Sequence, residues 1–328
     1  MPDIPLSMAI GHYDHVTDLV SGRIHPEGIG LTVMDLPIEE IFFRMFSFRE
    51  WDISEFSMAK YVSMVATGTA PFRAIPVFPS RVFRQSAIYV APDRIRSPKD
   101  LAGKRIGIPE WTQTAGIYAR AYLQHQCQIP LADIHWVQAG VNQPGRTEKV
   151  TVVPPAGVKI ECIQDRSLNE MLLAGEIDGI ISAREPASFL AHHPGIARLW
   201  PEYRAIEEDY YRQTGIFPIM HVIVVKNEVL DTHPWVAMNL LRAFDQARQN
   251  SLKRLSSIVN SAVAIPWAQQ AFHHATSVFG NDLWPYGIEP NRPTLNAFLQ
   301  FCAEQGVTSR PLTVDQLFPR EVSQVFKV

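Results

Sequence analysis

Short apolar runs typical of strands alternate with runs of helical spacing along most of this chain. Strand-like runs include GIGLTVMDL (28–36), WDISEFSM (51–58) and DIHWVQAG (133–140), and helix-like runs such as IEEIFFRMFSF (38–48) lie between them. Alternating strands and helices are typical of βαβ units, in which parallel strands form a sheet. We therefore predict an α/β protein with parallel strands.

The length of the chain favours more than one unit. Its 328 residues are too many for one small core, so we expect two domains or one large α/β unit. The polar loop VNQPGRTEKVTVVPPAG (141–157) is long for a compact domain, which indicates a functional or mobile segment. After Pro234 the pattern is mostly helical. The apolar face of this C-terminal region serves either the core or the interface of a homo-oligomer.

Composition excludes several partners. The chain is 46% hydrophobic and 19% charged with a net charge of −3, and no Lys/Arg block suggests a nucleic-acid groove. Cys127, Cys162 and Cys302 lie far apart, without a C-x-x-C motif, and are interpreted as reduced packing residues. The N-terminus has no signal-peptide pattern, and no apolar run is long enough to span a membrane. We therefore expect a cytoplasmic protein with neither a nucleic-acid nor a membrane partner.

The segment PEWTQTAG (109–116) stands where a strand-like run passes into a helix-like run. Backbone N–H groups and the positive end of a helix dipole at such a corner favour an anion. Trp111, Thr112, Gln113 and Thr114 are therefore candidates for contact with an anionic ligand. The alternatives are an ordinary N-cap by Thr112 or Thr114, and core packing by Trp111.

Two segments resemble the second lobe of type 2 periplasmic-binding-protein folds. They are SPKDLAGKRIGIPEWTQTAGIYARAYL (97–123) and LLAGEIDGIIS (172–182), in which turns introduce strands that end at the ligand cleft. The resemblance implies an α/β fold of two lobes with a central cleft, where strand carboxyl ends and helix amino ends converge. It also implies a discontinuous first lobe (1–90 plus 221–328) and a second lobe (91–220), joined by two hinge-crossing strands.

A narrower resemblance is to the 4,5-dihydroxyphthalate decarboxylase family, which shares this fold. The resemblance is found in FPSRVFRQSAIYV (78–90), GIPEWTQTAGIYARAYL (107–123), ISAREP (181–186) and LWPYGIEPNRPTL (283–295). It implies a carboxy-lyase that removes CO2 from a hydroxylated aromatic dicarboxylate after protonation of the ring carbon, without a cofactor. Two alternatives remain open: a solute-binding protein for a small anionic or aromatic ligand, and an enzyme of pyrimidine or vitamin-precursor metabolism on the same fold.

Four arginines are candidates for binding the substrate carboxylates. Arg81 and Arg84 flank Phe83, and on an extended segment they point to opposite sides, so that one faces the cleft. Arg184 follows the strand-like GIIS, and Arg146 lies on the long polar loop, which could act as a lid. A guanidinium matches a carboxylate bidentately, and an aromatic dicarboxylate needs about two such partners. The alternative for each arginine is a surface or interlobe ion pair.

His12, Glu55 and His221 are the candidate acid and base residues. His12 follows the first strand, Glu55 lies near the end of WDISEFSM, and His221 begins the strand that returns to the first lobe. Histidine titrates near neutral pH, and burial can bring a carboxyl into the range of a useful acid or base. The alternatives are structural histidines and a solvated Glu55. Tyr286, in WPYG (284–287), stacks on an aromatic ring or closes the core.

Motifs for metals and cofactors are missing from the sequence. The pairs His192/His193 and His273/His274 diverge, and neither H-x-x-x-H nor H-E-x-x-H occurs. G-x-S-x-G, G-x-G-x-x-G and phosphate loops are also missing. We therefore predict no metal and no organic cofactor. The resemblance to the decarboxylase family implies a small aromatic dicarboxylate as the binding partner.

Overall fold

The computed structural model describes residues 3–150, 152–260 and 262–323. Its strands are β1 (Ile4–Ala9), β2 (Ile29–Met34), β3 (Ile53–Ser57), β4 (Phe72–Ile75), β5 (Ile88–Val90), β6 (Arg105–Ile108), β7 (His135–Gly140), β8 (Ile160–Ser167), β9 (Gly179–Ile181), β10 (Ala197–Arg198) and β11 (His221–Lys226). Its helices are α1 (Thr17–Val20), α2 (Ile38–Phe48), α3 (Met58–Thr67), α4 (Thr114–His125), α5 (Leu168–Leu173), α6 (Ala187–Leu190), α7 (Tyr203–Thr214), α8 (Asn227–Thr232), α9 (Trp235–Ser256), α10 (Ala268–Phe279), α11 (Arg292–Glu304) and α12 (Arg320–Ser323).

The strands form two sheets. The first has the order β2-β1-β3-β11-β4, and the second has the order β10-β5-β9-β6-β7-β8. Most neighbours are parallel, as the alternating pattern predicts, but β11 runs antiparallel to β3 and β4, and β5 runs antiparallel to β9 and β10. The antiparallel strands are those at which the chain crosses from one sheet to the other and back.

The chain leaves the first sheet after β4 and returns to it with β11. The connecting segments run side by side, and Arg81 and Ile219 form an antiparallel bridge between them. This arrangement fits the predicted hinge, although β5 already belongs to the second sheet at residues 88–90. The predicted lobe boundaries at residues 90 and 220 stay a prediction.

Coverage on both faces explains the burial of the central strands. All five residues of β3 are buried, and so are the four central residues of β11, as expected for strands covered on both faces. Strand β8 was not predicted from the sequence because it lies at the edge of its sheet and most of its side chains are partly or fully exposed. Such an edge strand has no apolar run that would reveal it.

The C-terminal region is helical, as predicted. Helix α9 buries Val236, Leu240, Phe244 and Ala247 along one face, so this face packs into the main core. No helix in the described ranges is both long and apolar enough to cross a lipid bilayer. The fold brings the ends of β3, β6 and β9 towards one another, and the chain turns there into the residues of the candidate site.

Candidate active site

A cavity of about 360 Å³ lies between the two sheets. Helix α2 and the junction of β3 with α3 line it on one side, and the corner between β6 and α4 and the loop after β9 line it on the other. A second cavity, of about 420 Å³, shares four lining residues with the first: Glu39, Gln113, Arg146 and Arg184. We call the two cavities together the cleft.

A carboxylate–histidine pair lies on the side of the first sheet. Glu55 on β3 is fully buried, and its Oε1 atom is 2.6 Å from Nδ1 of His221 at the start of β11. A carboxylate only accepts hydrogen bonds, so we assign the imidazole proton to Nδ1. The lone pair of His221 is then on Nε2, and this side chain, 19% exposed, lines the cleft. The pair has the arrangement of a base and the group that orients it.

Two further donors hold Glu55. The hydroxyl of Tyr13 donates to Oε1 at 2.6 Å, and the backbone N–H of Gly11 donates to Oε2 at 2.9 Å. Burial, followed by the negative charge of Glu55, raises the pKa of Tyr13, which therefore stays a protonated donor. A Cβ atom at Gly11 would clash with the side chain of Ile38 and lie 3.3 Å from Oε2 of Glu55, so glycine leaves room for both beside the loop. These contacts fix Glu55, which in turn orients the imidazole of His221.

Cationic side chains outnumber carboxylates around the cavity of about 360 Å³. Lys60 lies 3.2 Å from Glu110, and Arg146 lies 2.7 Å from the same carboxylate. Arg184 lies 3.0 Å from Glu39 on α2, so this ion pair joins the two sides of the cleft. With Arg84, the lining contains four cations and two carboxylates, an excess of two positive charges with histidine neutral. The cleft is therefore suited to a doubly charged anion.

Arg84 differs from the other three cations. Within the described residues it takes part in no ion pair, and its Nε atom donates to the sulfur of Met220 at 3.1 Å. Burial lowers the pKa of Arg84 to about 10, which leaves it charged at neutral pH. A partly buried guanidinium without a carboxylate partner favours the binding of an anion from solution.

The PEWTQTAG corner divides between cleft and core. Thr114 lines the cleft, and its hydroxyl lies 3.1 Å from both the Ser57 hydroxyl and the N–H of Ala59, which ties the corner to α3. Gln113 also lines the cleft, and its Oε1 accepts the N–H of Ala183 at 3.3 Å. The positions of both residues fit the predicted contact with an anion, which stays a prediction.

Trp111 and Thr112 lie in the core instead. Trp111 is 1% exposed, and its indole N–H donates to the carbonyl of Gln305. Thr112 is completely buried and uses its N–H and hydroxyl to bind Glu148. Trp111 is therefore a packing residue, as the alternative had it. The predicted ligand contact is corrected for both Trp111 and Thr112, because their polar groups already form hydrogen bonds within the fold.

Arg81 and His12, which were predicted to belong to the site, also lie outside the cleft. Arg81 is 4% exposed, and it donates to Asn291 and to the carbonyls of Phe217 and Pro285, so it is a structural residue of the hinge. The two flanking arginines do point apart, and it is Arg84 that faces the cleft. The side chain of His12 is 81% exposed, pairs with Asp35 at 2.6 Å and lies outside the cleft.

Tyr286 closes the core rather than the cleft. It is 7% exposed, and the guanidinium of Arg248 lies 5.5 Å from the centre of its ring. Of the predicted residues, the structure brings together His221, Arg84, Gln113, Thr114, Arg146 and Arg184 around the cleft, with Glu55 directly behind His221.

Sequence reasoning did not select Lys60, Glu110, Tyr13 or Glu39. Glu110 stood inside the quoted corner, and Lys60 lies three residues after the strand end at Ser57. A charged residue in an otherwise apolar stretch next to a strand end is the signal that could have identified both. Tyr13 had no such signal, because its contact with Glu55 joins residues 42 positions apart.

In the ranges that the structure describes, no group of three or more His, Cys, Asp or Glu side chains is placed to hold a metal ion. The charged residues that line the cavity of about 360 Å³ are four cations and two carboxylates, and a carboxylate–histidine pair lies at its wall. Such a set of side chains fits an organic anion better than a divalent cation.

Comparison with known proteins identifies the family. No family model matches the sequence. A 4,5-dihydroxyphthalate decarboxylase from Comamonas testosteroni is 36% identical over the whole of both chains, and one from Pseudomonas putida is 39% identical over 65% of this chain and 83% of its own. The periplasmic aliphatic sulphonate binding protein SsuA from Escherichia coli superimposes with a TM-score of 0.54 over 98% of this chain and 99% of its own, at 13% identity, which confirms the predicted fold. The chain belongs to the 4,5-dihydroxyphthalate decarboxylase family.

Proposed function

We propose that this protein decarboxylates 4,5-dihydroxyphthalate, or a closely related hydroxylated aromatic dicarboxylate, without a metal or an organic cofactor. The observation that supports this most is the buried Glu55–His221 pair, which faces a cleft with an excess of positive charge. Family membership supports the same class of reaction.

The cations of the cleft bind the two carboxylates. Arg84 has no competing ion pair among the described residues and is the primary partner of the carboxylate that is retained. Arg146 and Arg184 line the same cavity, together with Gln113 and Thr114, and receive the other carboxylate. A bidentate guanidinium contact fixes the plane of a carboxylate, so two such contacts orient the aromatic ring.

The Glu55–His221 pair supplies the base. Nε2 of His221 removes the proton from the hydroxyl para to the carboxylate that leaves, while Glu55 holds the imidazolium that forms. The electron pair of the phenolate moves into the ring and makes the carbon that bears the carboxylate basic. This carbon accepts a proton, its bond to the carboxylate breaks, and that electron pair restores the aromatic ring as CO2 leaves.

A protein that only captured solutes would need the cations but not the base. In that case a buried carboxylate–histidine pair beside the ligand would serve only the packing of the strands. The Glu55–His221 contact in the wall of the cleft therefore favours the enzyme over the solute-binding alternative.

The experiment is turnover of 4,5-dihydroxyphthalate by the purified, chelator-treated protein, with CO2 and 3,4-dihydroxybenzoate measured together. We expect both products in equal amounts. Recovery of unchanged substrate, and of unchanged hydroxylated relatives, would contradict the enzyme assignment. Activity that disappears with chelator and returns with added metal would contradict only the metal-free part.

A further inference from the structure

A lysine in the wall of the cleft has no role in the steps above. Lys60 lies in the first turn of α3, and its side chain is 9% exposed although it carries an ammonium group. It lines the cavity of about 360 Å³ together with His221 and Arg84. Lysine is rarely buried unless its charge is paired or used.

The partner of Lys60 is shared with a second cation. Oε2 of Glu110 lies 3.2 Å from Nζ of Lys60, while Oε1 of Glu110 lies 2.7 Å from Nη2 and 2.9 Å from Nε of Arg146. Glu110 is only 2% exposed. Because one carboxylate serves two cations, Arg146 alone would satisfy Glu110 if Lys60 gave up a proton. The loss of a proton from Lys60 therefore leaves no carboxylate unpaired.

The position of Lys60 relative to the base is set by local structure. His221 lies opposite Ser57 in the register of β11 and β3, and Lys60 follows Ser57 by three residues at the start of α3. Residues three apart at a helix start lie on the same side, so Lys60 and His221 reach the cleft from the same sheet edge. Burial also lowers the pKa of Lys60, an effect only partly offset by Glu110, and a lysine of this kind releases its proton more readily.

We propose that Lys60 is the catalytic acid that protonates the ring carbon from which CO2 leaves. This inference rests on the proposed function. The ammonium of Lys60 gives one proton to the carbon, and the electron pair of the new C–H bond comes from the phenolate formed by His221. The C–CO2 bond then breaks and its pair returns to the ring. His221 returns its proton to the phenolate oxygen, and Lys60 takes one proton from water, so that each cycle consumes one proton and releases one CO2.

Replacement of Lys60 by arginine separates proton donation from charge. Lys60→Arg keeps a cation that can bind Glu110, but a guanidinium does not release its proton at neutral pH. We expect kcat for 4,5-dihydroxyphthalate to fall at least about 100-fold, the low end of general-acid contributions. Phthalate lacks the hydroxyls and serves as the binding probe, and its Kd should change less than about threefold. The control is Lys226→Arg, since Lys226 pairs with Asp52 outside the cleft and should leave both values unchanged.

Exchange of a ring hydrogen provides a second readout. In the absence of CO2, the acid that protonates the carbon also exchanges the hydrogen bound to C6 of 3,4-dihydroxybenzoate for deuterium in D2O. This exchange should be lost in the Lys60→Arg variant. A smaller fall in kcat, retained exchange, or a parallel loss of phthalate binding would overturn the role of Lys60. If the arginine variant does not fold, Lys60→Met is judged by the same three measurements. If the wild-type protein does not turn over 4,5-dihydroxyphthalate, that result would instead overturn the proposed function, and with it the role of Lys60.

Discussion

Glu55 is fully buried and accepts a hydrogen bond from Nδ1 of His221 at 2.6 Å, with the imidazole of His221 at the wall of the cleft. The two residues lie on neighbouring antiparallel strands, at the point where the chain returns from the second sheet to the first. The crossing of the chain therefore brings a carboxylate from residue 55 to a histidine from residue 221, beside cations from both sheets.

Replacement of Glu55 by glutamine should abolish most of the activity. The amide is nearly isosteric, but it carries no negative charge to hold the imidazolium of His221. We expect kcat for 4,5-dihydroxyphthalate to fall at least about 100-fold, with little change in the Kd of phthalate. Glu289→Gln is the matched control, because Glu289 pairs with Arg292 on the surface. Equal activity of the Glu55→Gln variant and wild type would refute the role of the pair.

Replacement by lysine should have different effects at Arg84 and at Arg81. Arg84→Lys removes a bidentate contact to the substrate, so KM should rise about 10- to 100-fold, in line with the loss of a charged hydrogen bond. Arg81→Lys should instead lower the free energy of unfolding by about 1–3 kcal/mol, because Arg81 binds buried carbonyls in the hinge. Steady-state kinetics and urea unfolding of both variants check these outcomes. A reversed pattern would contradict the assignment of Arg84 to the cleft.

Removal of the charge on Glu39 should tighten the binding of anions. In the structure Glu39 forms an ion pair with Arg184 at 3.0 Å, so a substrate carboxylate must compete with Glu39 for this guanidinium. Both side chains are more than half exposed, so the effect should be small. We expect the Kd of phthalate to fall about two- to fivefold in Glu39→Gln at low salt, and by less at high salt. Glu40→Gln is the control, since Glu40 pairs with Arg44. Weaker phthalate binding in Glu39→Gln would show that Glu39 assists the ligand instead.

His15 should make the fold sensitive to acid. Burial lowers the pKa of His15 to about 4, against 6.5 for an ordinary histidine, and its Nε2 atom is buried with no hydrogen-bond partner among the residues that the structure describes. Asp14 and Glu55 favour the charged ring and Arg248 opposes it, but burial is the largest effect. Between these two pH values the unfolded chain binds a proton that the folded chain does not, so stability falls as the pH is lowered through this window.

The expected loss from His15 is about 1–2 kcal/mol of unfolding free energy between pH 7 and pH 5. His15→Phe keeps a ring between Tyr13 and Trp284 and should lose less stability over the same interval. Urea unfolding at both pH values measures the difference. An identical acid response of the two proteins would show that His15 does not cause it.

Much of the fold could be predicted from the sequence. The apolar run at β11 is continuous because both faces of the strand are covered, so it stood out from the polar segments around it. The edge strand β8 did not, since its exposed side chains lack an apolar pattern. The antiparallel direction of β11 could not be read from composition, because direction follows from the route of the chain between the sheets.

The site could be predicted only in part for a similar reason. His221 and Thr114 were selected because the fold directs strand ends to the cleft, and both line the cavity, while their roles stay a prediction. Arg81 lies in the core and not at the cleft, because alternation along an extended segment shows that positions 81 and 84 point apart but not which of them faces the cleft. Tyr13 reaches Glu55 through a tertiary contact that no local pattern reveals.

The most direct measurement is NMR analysis of the product formed from 4,5-dihydroxyphthalate in D2O. Protonation of the ring carbon inside the cleft predicts stoichiometric CO2 and 3,4-dihydroxybenzoate that carries one deuterium, at C6, while phthalate without hydroxyl groups is bound but returned unchanged. Unaltered 4,5-dihydroxyphthalate after prolonged incubation with folded protein, or equal loss of CO2 from phthalate, would contradict the account.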